Sequence, residues 1–311
     1  MNVGIIGVGG VGGYFGGKIA RLLPEKAKEL HVTFFARGKH LEEISKNGLI
    51  LSTQNEGEFI VRPTLATNKI DEVPLLDVCL LCVKGYDLQN VLQAIKDKIG
   101  PNTHVVPLLN GVDIYDRTKS ILGYAVVYPA CVYVGTHIER YGKVTQNGGA
   151  CTILFGKDPS RMNVDPRIVL DLFDLSSIKY KFLDNPAEEI WNKYIFIAAY
   201  GMVTASENIT LGQVFENPGW CNRVKDIMKE IATIAAKKGV SLSANIVDEA
   251  FNKGNNFPHG TKTSFQRDFE IKDKSNESEL FGDTIVRLGM EYGVATPATS
   301  MINNTLKQMK H

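Results

Sequence analysis

The fold is decided by residues 2–12, which read NVGIIGVGGVG. The apolar residues before Gly7 predict a short strand, and the six residues from Gly7 to Gly12 fit the pattern G-x-G-x-x-G. In a dinucleotide-binding turn the first glycine permits the tight turn, the second lets the backbone approach a pyrophosphate, and the third lets the next helix pack closely. That helix would direct its N-terminus, with its partial positive charge, at the phosphates.

A glycine-rich turn without a ligand is the alternative interpretation of this stretch. The strand predicted before it and the helix predicted after it favour the dinucleotide site. We therefore expect the cofactor to be bound by Gly7, Val8, Gly9, Gly10, Val11 and Gly12.

Composition and charge are those of an ordinary globular protein. The chain has 311 residues, 44% hydrophobic and 22% charged, and its 35 Lys and Arg balance 34 Asp and Glu to a net charge of +1. This balance does not indicate nucleic acid or a membrane surface as a partner. The five cysteines predict no disulfide framework and are typical of a reducing cytoplasm. No signal peptide is predicted, and the longest apolar run, over 194–205, is shorter than the roughly 20 residues that span a bilayer.

The pattern of elements changes near residue 184. Before it, strands rich in β-branched and apolar residues alternate with helices, and after it the pattern predicts helices almost throughout. The sequence therefore predicts an α/β Rossmann N-terminal domain over residues 1–183 and an all-α C-terminal domain over residues 184–311. In the first domain we expect strands over 3–6, 31–36, 76–83, 104–109 and 124–134, hairpins over 49–64 and 142–155, and an edge strand over 180–183. In the second we expect helices over 187–200, from Asn217-Pro218 onward, and over 243–253, 277–292 and 298–309.

Polar residues stand where three of these strands end, and the carboxyl ends of parallel strands face the ligand crevice. Arg37 follows the second strand, where an acid usually binds the ribose of NAD and an arginine accommodates the 2′-phosphate of NADP. Arg37 therefore predicts NADP, and a solvated surface arginine is the alternative. Lys84 and Asn110 each follow a further strand. Either could instead be a turn residue, since Asn-Gly is a common turn dipeptide.

Reduction of a ketone by a nicotinamide cofactor needs a group that protonates the new alcohol oxygen. Lys193 is the best candidate, because it lies beside a long apolar helical stretch where desolvation would lower its pKa toward a useful range. The alternative is an ordinary lysine on a helix surface. The six histidines show no spacing typical of metal ligands, so we expect no metal.

The chain resembles the 2-dehydropantoate 2-reductase (ketopantoate reductase) family over nearly its whole length. The resemblance is carried by Gly7–Gly12, Ala36-Arg37, Val83–Asp87, Leu109–Val112, Trp191–Tyr194, Thr263–Asp268, Glu277, Val286–Gly289 and Thr296-Pro297. It implies NADPH-dependent reduction of the 2-keto acid ketopantoate to pantoate, in pantothenate and coenzyme A biosynthesis. It also implies a Rossmann domain followed by a helical domain like the C-terminal domain of 6-phosphogluconate dehydrogenase.

The resemblance also implies roles for individual residues. Lys193 matches the proton donor and Arg37 the residue that holds the 2′-phosphate. Lys84 and Asn110 match residues that line the cofactor and substrate crevice. Ser264 matches the serine that binds the carboxylate end of the substrate, with Thr263 as the alternative one residue earlier. Glu277 matches the glutamate that helps to fix cofactor and substrate hydroxyls.

Two departures from the family pattern concern the substrate. Well-known members carry Asn four and eight residues after the catalytic lysine, where this chain has Ile197 and Gly201. The stretch from Asp268 to Glu277 is also one residue longer than usual. Because losing a hydrogen bond to a substrate hydroxyl changes discrimination by orders of magnitude, another 2-keto acid is an alternative substrate. A non-catalytic NADPH-binding sensor is the alternative of a different class. The apolar faces of the second domain are compatible with a homodimer.

Overall fold

The computed structural model describes residues 1–26, 28–271 and 276–309. The chain forms two compact units. The first contains Met1–Val83 and Asp87–Pro186, and the second contains Lys84–Tyr86 and the chain from Ala187 onward.

The strands belong to the first unit. In chain order they are β1 Asn2–Ile6, β2 His31–Phe35, β3 Leu49–Thr53, β4 Gly57–Val61, β5 Leu65–Thr67, β6 Leu76–Leu81, β7 Ile99–Pro107, β8 Val126–Val127, β9 Ala130–Tyr133, β10 Thr136–Arg140, β11 Lys143–Gln146, β12 Thr152–Gly156 and β13 Lys179–Leu183.

The α-helices occur in both units. In chain order they are α1 Gly10–Ala20, α2 Leu23–Lys26, α3 Gly38–Asn47, α4 Leu88–Ile95, α5 Ile114–Ile121, α6 Arg167–Leu175, α7 Pro186–Glu207, α8 Leu211–Val214, α9 Pro218–Lys237, α10 Ile246–Asn252, α11 Ser264–Phe269, α12 Thr284–Tyr292 and α13 Pro297–Gln308.

A six-stranded parallel sheet organises the first unit, in the order β5-β2-β1-β6-β7-β8. Strand β1 lies inside it, with Val3 opposite Val32 of β2 and Val78 of β6. These three valines are fully buried, as expected for a parallel sheet covered on both faces. The predicted α/β Rossmann fold of this unit is confirmed.

Two smaller sheets complete the first unit. The first has the order β10-β11-β3-β4 and the second the order β13-β12-β9. The hairpin of β3 and β4 is antiparallel, as the sequence predicted. Strand β13 is an edge strand, which also agrees with the sequence.

The predicted hairpin over 142–155 is wrong. Strand β11 pairs with β10 and β3, whereas β12 pairs with β9 and β13, so the two strands lie in different sheets. The chain does turn between them, with positive φ at Gly148 and Gly149, but the turn leads into another sheet. The single strand predicted over 124–134 is likewise wrong, because it divides into β8 and β9 in separate sheets.

The second unit is helical throughout its described residues, apart from turns and connecting segments, as the sequence predicted. Asn217 caps α9 by accepting a hydrogen bond from the N–H of Gly219, with Pro218 at the first helical position. The single helix predicted over 277–292 is present, and its first part, Glu279–Asp283, is a π-helical turn that continues directly into α12. No helix in the described ranges is long and apolar enough to cross a membrane.

Candidate active site

The glycine turn joins β1 to α1. Gly7 has φ of +96°, and a Cβ there would lie 2.9 Å from the backbone of Cys82. At Gly12 a Cβ would lie 2.0 Å from the carbonyl oxygen of Gly7, so a side chain at residue 12 cannot coexist with this turn. At Gly9, in contrast, a Cβ would meet nothing within 4 Å. The turn is therefore closed on its inner side and open over Gly9.

Helix α1 begins at Gly10, inside the glycine turn, whereas the sequence predicted a helix only after Gly12. The first hydrogen bond of the helix runs from the N–H of Gly13 to the carbonyl of Gly9. Gly9 is the N-cap residue, and as a glycine it has no side chain that could accept a hydrogen bond from the first N–H groups of the helix. The N–H groups of Gly10, Val11 and Gly12 precede that bond and have no partner within the helix. Open space above Gly9 and donors at a helix N-terminus fit a bound pyrophosphate.

Arg37 lies at the end of β2 and is the residue before α3. Its side chain is 68% exposed, and its Nη2 lies 2.5 Å from Oδ2 of Asp87. Sequence reasoning placed the arginine but missed this partner, which follows β6 at the start of α4. Asn110 lies in the same unit after β7 and is half-buried beside Gly111, whose φ is +128°.

Lys84 and Glu277 meet within the second unit. The Nζ of Lys84 lies 3.2 Å from Oε2 of Glu277 and 2.7 Å from Oδ2 of Asp268. The N–H of Gly85 donates to the other oxygen of Glu277 at 3.4 Å. Burial would lower the pKa of Lys84, but the carboxylates of Glu277 and Asp268 outweigh it and raise that pKa above its usual value. Lys84 is therefore a permanent cation at this site.

Asp268 is a site residue that sequence reasoning did not single out. It lies within the segment 263–268 that carries the family resemblance, four residues after Ser264 on α11. Its pairing with Lys84 joins residues 184 positions apart in sequence, which no local pattern could indicate.

Lys193 lies in the first half of α7 and is half-buried. The next residue, Tyr194, is buried, and its hydroxyl donates to the carbonyl of Leu280 at 2.6 Å. This bond fixes the rotation of α7 at the position of Lys193. One helical turn later is Ile197, and one further turn brings Gly201, where a Cβ would lie 3.4 Å from Cβ of Phe265.

Thr263 and Ser264 occupy different structural positions. Thr263 caps α11, because its Oγ1 accepts a hydrogen bond from the N–H of Gln266 at 3.1 Å. The same oxygen lies 3.2 Å from Oγ1 of Thr204. Ser264 is exposed at the first position of the helix, and its hydroxyl has no hydrogen bond to the described residues. The Ser264 hydroxyl can therefore take a ligand without breaking a cap.

Comparison with known proteins gives the family. The family model described as "Ketopantoate reductase PanE/ApbA" matches residues 3–159, and the corresponding C-terminal model matches residues 185–310. The chain belongs to the ketopantoate reductase family. It is therefore an oxidoreductase of a family that uses NAD(P), which agrees with the predicted use of a nicotinamide cofactor.

Individual relatives in this comparison differ in what they are known to do. The chain is 24% identical to "Uncharacterized oxidoreductase YkpB" of Bacillus subtilis, over 99% of this chain and 98% of that protein. A PanE/ApbA family ketopantoate reductase from Ralstonia eutropha has 26% identity and a TM-score of 0.87, covering 100% of this chain and 98% of its own. A D-mandelate dehydrogenase crystallised with NADH and anilino(oxo)acetate shares the fold, with a TM-score of 0.83 at 21% identity, covering 100% of this chain and 98% of its own.

Within the described residues, no group of three or more His, Cys, Asp and Glu side chains could hold a metal ion. In the second unit the structure brings together one lysine and two carboxylates, Lys84 with Asp268 and Glu277.

Proposed function

We propose that this protein reduces ketopantoate to pantoate with NADPH, a step of pantothenate and coenzyme A biosynthesis. The observation that carries the proposal is the family match along both halves of the chain. In addition, Lys193, Ser264 and Glu277 stand where the family resemblance expects a proton donor, a serine that binds the substrate carboxylate and a glutamate that binds hydroxyls. In this proposal residues 1–183 form the cofactor-binding domain and residues 184–311 the substrate domain.

The cofactor part of the proposal rests on the glycine turn and on Arg37. The pyrophosphate would lie over Gly9 and accept hydrogen bonds from the N-terminus of α1. Arg37, exposed at the end of β2, would bind the 2′-phosphate. When bound, NADPH supplies the hydride.

The chemical part of the proposal rests on the second unit. Lys193 would protonate the oxygen that becomes the alcohol. Its ammonium group can donate a proton, and because the residue is half-buried, water has less access to the hydrogen bond between this group and the substrate. The free hydroxyl of Ser264 would donate to the substrate carboxylate. Glu277, held by Lys84 and Gly85, would accept hydrogen bonds from hydroxyl groups of the ligands, with Lys84 and Asn110 as further contacts.

Ile197 and Gly201 favour a second candidate, reduction of another 2-keto acid by the same chemistry. An isoleucine and a glycine cannot donate hydrogen bonds from their side chains to a substrate hydroxyl. The NADH-bound D-mandelate dehydrogenase of the same fold supports keeping this candidate.

The test is NADPH oxidation followed by absorbance, with ketopantoate, phenylglyoxylate and 2-ketoisovalerate as substrates, each repeated with NADH. Preference for ketopantoate with NADPH would support the proposal. Faster turnover of another keto acid would support the proposed reaction type and show that ketopantoate is not the preferred substrate. Binding of NADPH with no turnover of any keto acid would contradict the enzymatic proposal and support a sensor.

A further inference from the structure

The exposed guanidinium of Arg37 forms an ion pair with the carboxylate of Asp87. We propose that Asp87 sets the cofactor preference of this protein by competing with the 2′-phosphate of NADPH for Arg37. The inference rests on the proposed function in one respect only, that Arg37 lies at the 2′-phosphate. It adds a specificity-determining residue and predicts that the preference for NADPH over NADH is smaller than an unpaired arginine would give.

The contact between the two side chains is direct. Nη2 of Arg37 lies 2.5 Å from Oδ2 of Asp87, and both residues belong to the first unit. Neither side chain has another hydrogen bond or ion pair within the described residues. Asp87 is 23% exposed while Arg37 is 68% exposed, so the carboxylate is the more fixed partner.

The side chain of Asp87 does not cap the helix that it precedes. Asp87 is the residue before α4, a position at which aspartate commonly caps a helix, yet its side chain makes no capping hydrogen bond. The carboxylate turns instead toward the end of β2. The carboxylate therefore pairs with a residue that the proposed function assigns to the cofactor.

Charge determines the consequence for the two cofactors. A 2′-phosphate carries up to two negative charges, so it must displace or share the guanidinium with Asp87 and meets repulsion from that carboxylate. NADH has a ribose hydroxyl at this place, which neither needs the guanidinium nor is repelled by an acid. The pair between Arg37 and Asp87 thus weakens NADPH and leaves NADH largely unaffected.

The test measures dissociation constants of NADPH and NADH by the change in cofactor fluorescence. It uses the full-length wild type, Asp87→Asn, Arg37→Ala and the double variant. We expect Asp87→Asn to tighten NADPH about three- to tenfold and to change NADH less than twofold, since exposed pairs contribute little each. Adding Arg37→Ala to Asp87→Asn should remove most of the gain. Asp97→Asn is the matched control, because it removes the same charge just beyond the other end of α4, about 15 Å along the helix axis from Asp87.

The outcomes separate this inference from the proposed function. Weaker or unchanged NADPH binding in Asp87→Asn, while Arg37→Ala selectively weakens NADPH, would overturn the competition and leave the 2′-phosphate assignment standing. Equal losses of NADPH and NADH in Arg37→Ala would overturn that assignment and the inference with it. A tightening in Asp97→Asn equal to that in Asp87→Asn would show a general charge effect and also overturn the inference. Thermal unfolding of each variant, and the second variant Asp87→Ser, check that the binding change does not arise from misfolding.

Discussion

Lys193 is the residue on which the proposed chemistry depends. It is half-buried on α7, one residue before Tyr194, whose hydrogen bond to Leu280 fixes the orientation of the helix. The sequence could indicate a lysine beside an apolar helical stretch, but it could not distinguish a proton donor from a surface lysine. That distinction needs kinetics.

Replacing Lys193 with Met should lower kcat about 10²- to 10⁴-fold, since it removes the proposed general acid while keeping the apolar stem. The dissociation constant of NADPH should change little. Lys229→Met, at an exposed lysine of α9, is the control and should retain full activity. Turnover of Lys193→Met at the wild-type rate would show that another group supplies the proton.

Ser264 and Thr263 are separated by their surroundings, although the sequence left both open. Ser264→Ala should raise the KM of the keto acid about 10- to 100-fold, because a lost hydrogen bond to a charged group costs roughly 1.5–3 kcal/mol. Its melting temperature should stay unchanged. Thr263→Ala should lower stability by about 1 kcal/mol through the lost cap of α11. A larger KM effect at Thr263 than at Ser264 would reverse the assignment.

At the scale of elements, the glycines in the turn between β1 and α1 are needed for different reasons. Gly12 is required by the fold, because its Cβ position is occupied by the carbonyl of Gly7. The space above Gly9 is open and its φ of −83° is accessible to any residue, so only a ligand would require glycine there.

Gly9→Ala and Gly12→Ala therefore form a matched pair. Gly12→Ala should lower the melting temperature by several degrees or prevent folding. Gly9→Ala should fold normally and weaken NADPH at least tenfold, because its methyl group would occupy the place of the pyrophosphate. Calorimetry and cofactor titration measure the two effects. Unchanged NADPH affinity in Gly9→Ala would argue against a pyrophosphate at this turn.

The elements also show where sequence reasoning fails. The sequence pattern predicted both β11 and β12 as strands. It also predicted that they pair as a hairpin, because glycines lie between them in the sequence. Strand partners depend on contacts distant in sequence, such as Val144 opposite Leu51, and alternation does not encode them. The same limit hid Asp87 and Asp268. The residues at strand ends, such as Arg37 and Lys84, were predictable because the position itself carries the information.

At the scale of the whole molecule, a buried aspartate connects several parts of the first unit. Asp158 is fully buried and accepts hydrogen bonds from Lys119, Tyr115, Ser160 and the N–H of Val127. Burial alone would raise its pKa, but these donors outweigh burial and lower the pKa to about 2. The folded state therefore favours the charged carboxylate more than the unfolded chain does.

The depressed pKa gives stability a defined acid dependence. Above about pH 4 the charged Asp158 contributes about 2 kcal/mol, and this contribution is lost as the pH falls from about 4 to about 2. Asp158→Asn should cost about 2–4 kcal/mol at neutral pH, because the largely buried ammonium of Lys119 loses its anion. Denaturant unfolding at pH 7 and pH 3 measures both effects. Asp165→Asn, at an exposed acid, is the control, and equal losses in the two variants would contradict this account.

The segment Lys84–Tyr86 constrains how the protein can be dissected or recombined. Although it follows β6 of the first unit in sequence, it belongs to the second, where Lys84 is the cation that the described residues bring to the buried Glu277. A fragment that begins at Ala187 would leave this carboxylate without that cation and without the N–H of Gly85. Chimaeras between relatives should therefore exchange residues 84–86 together with the C-terminal half, because a single crossover at the boundary would separate partners that must be inherited together.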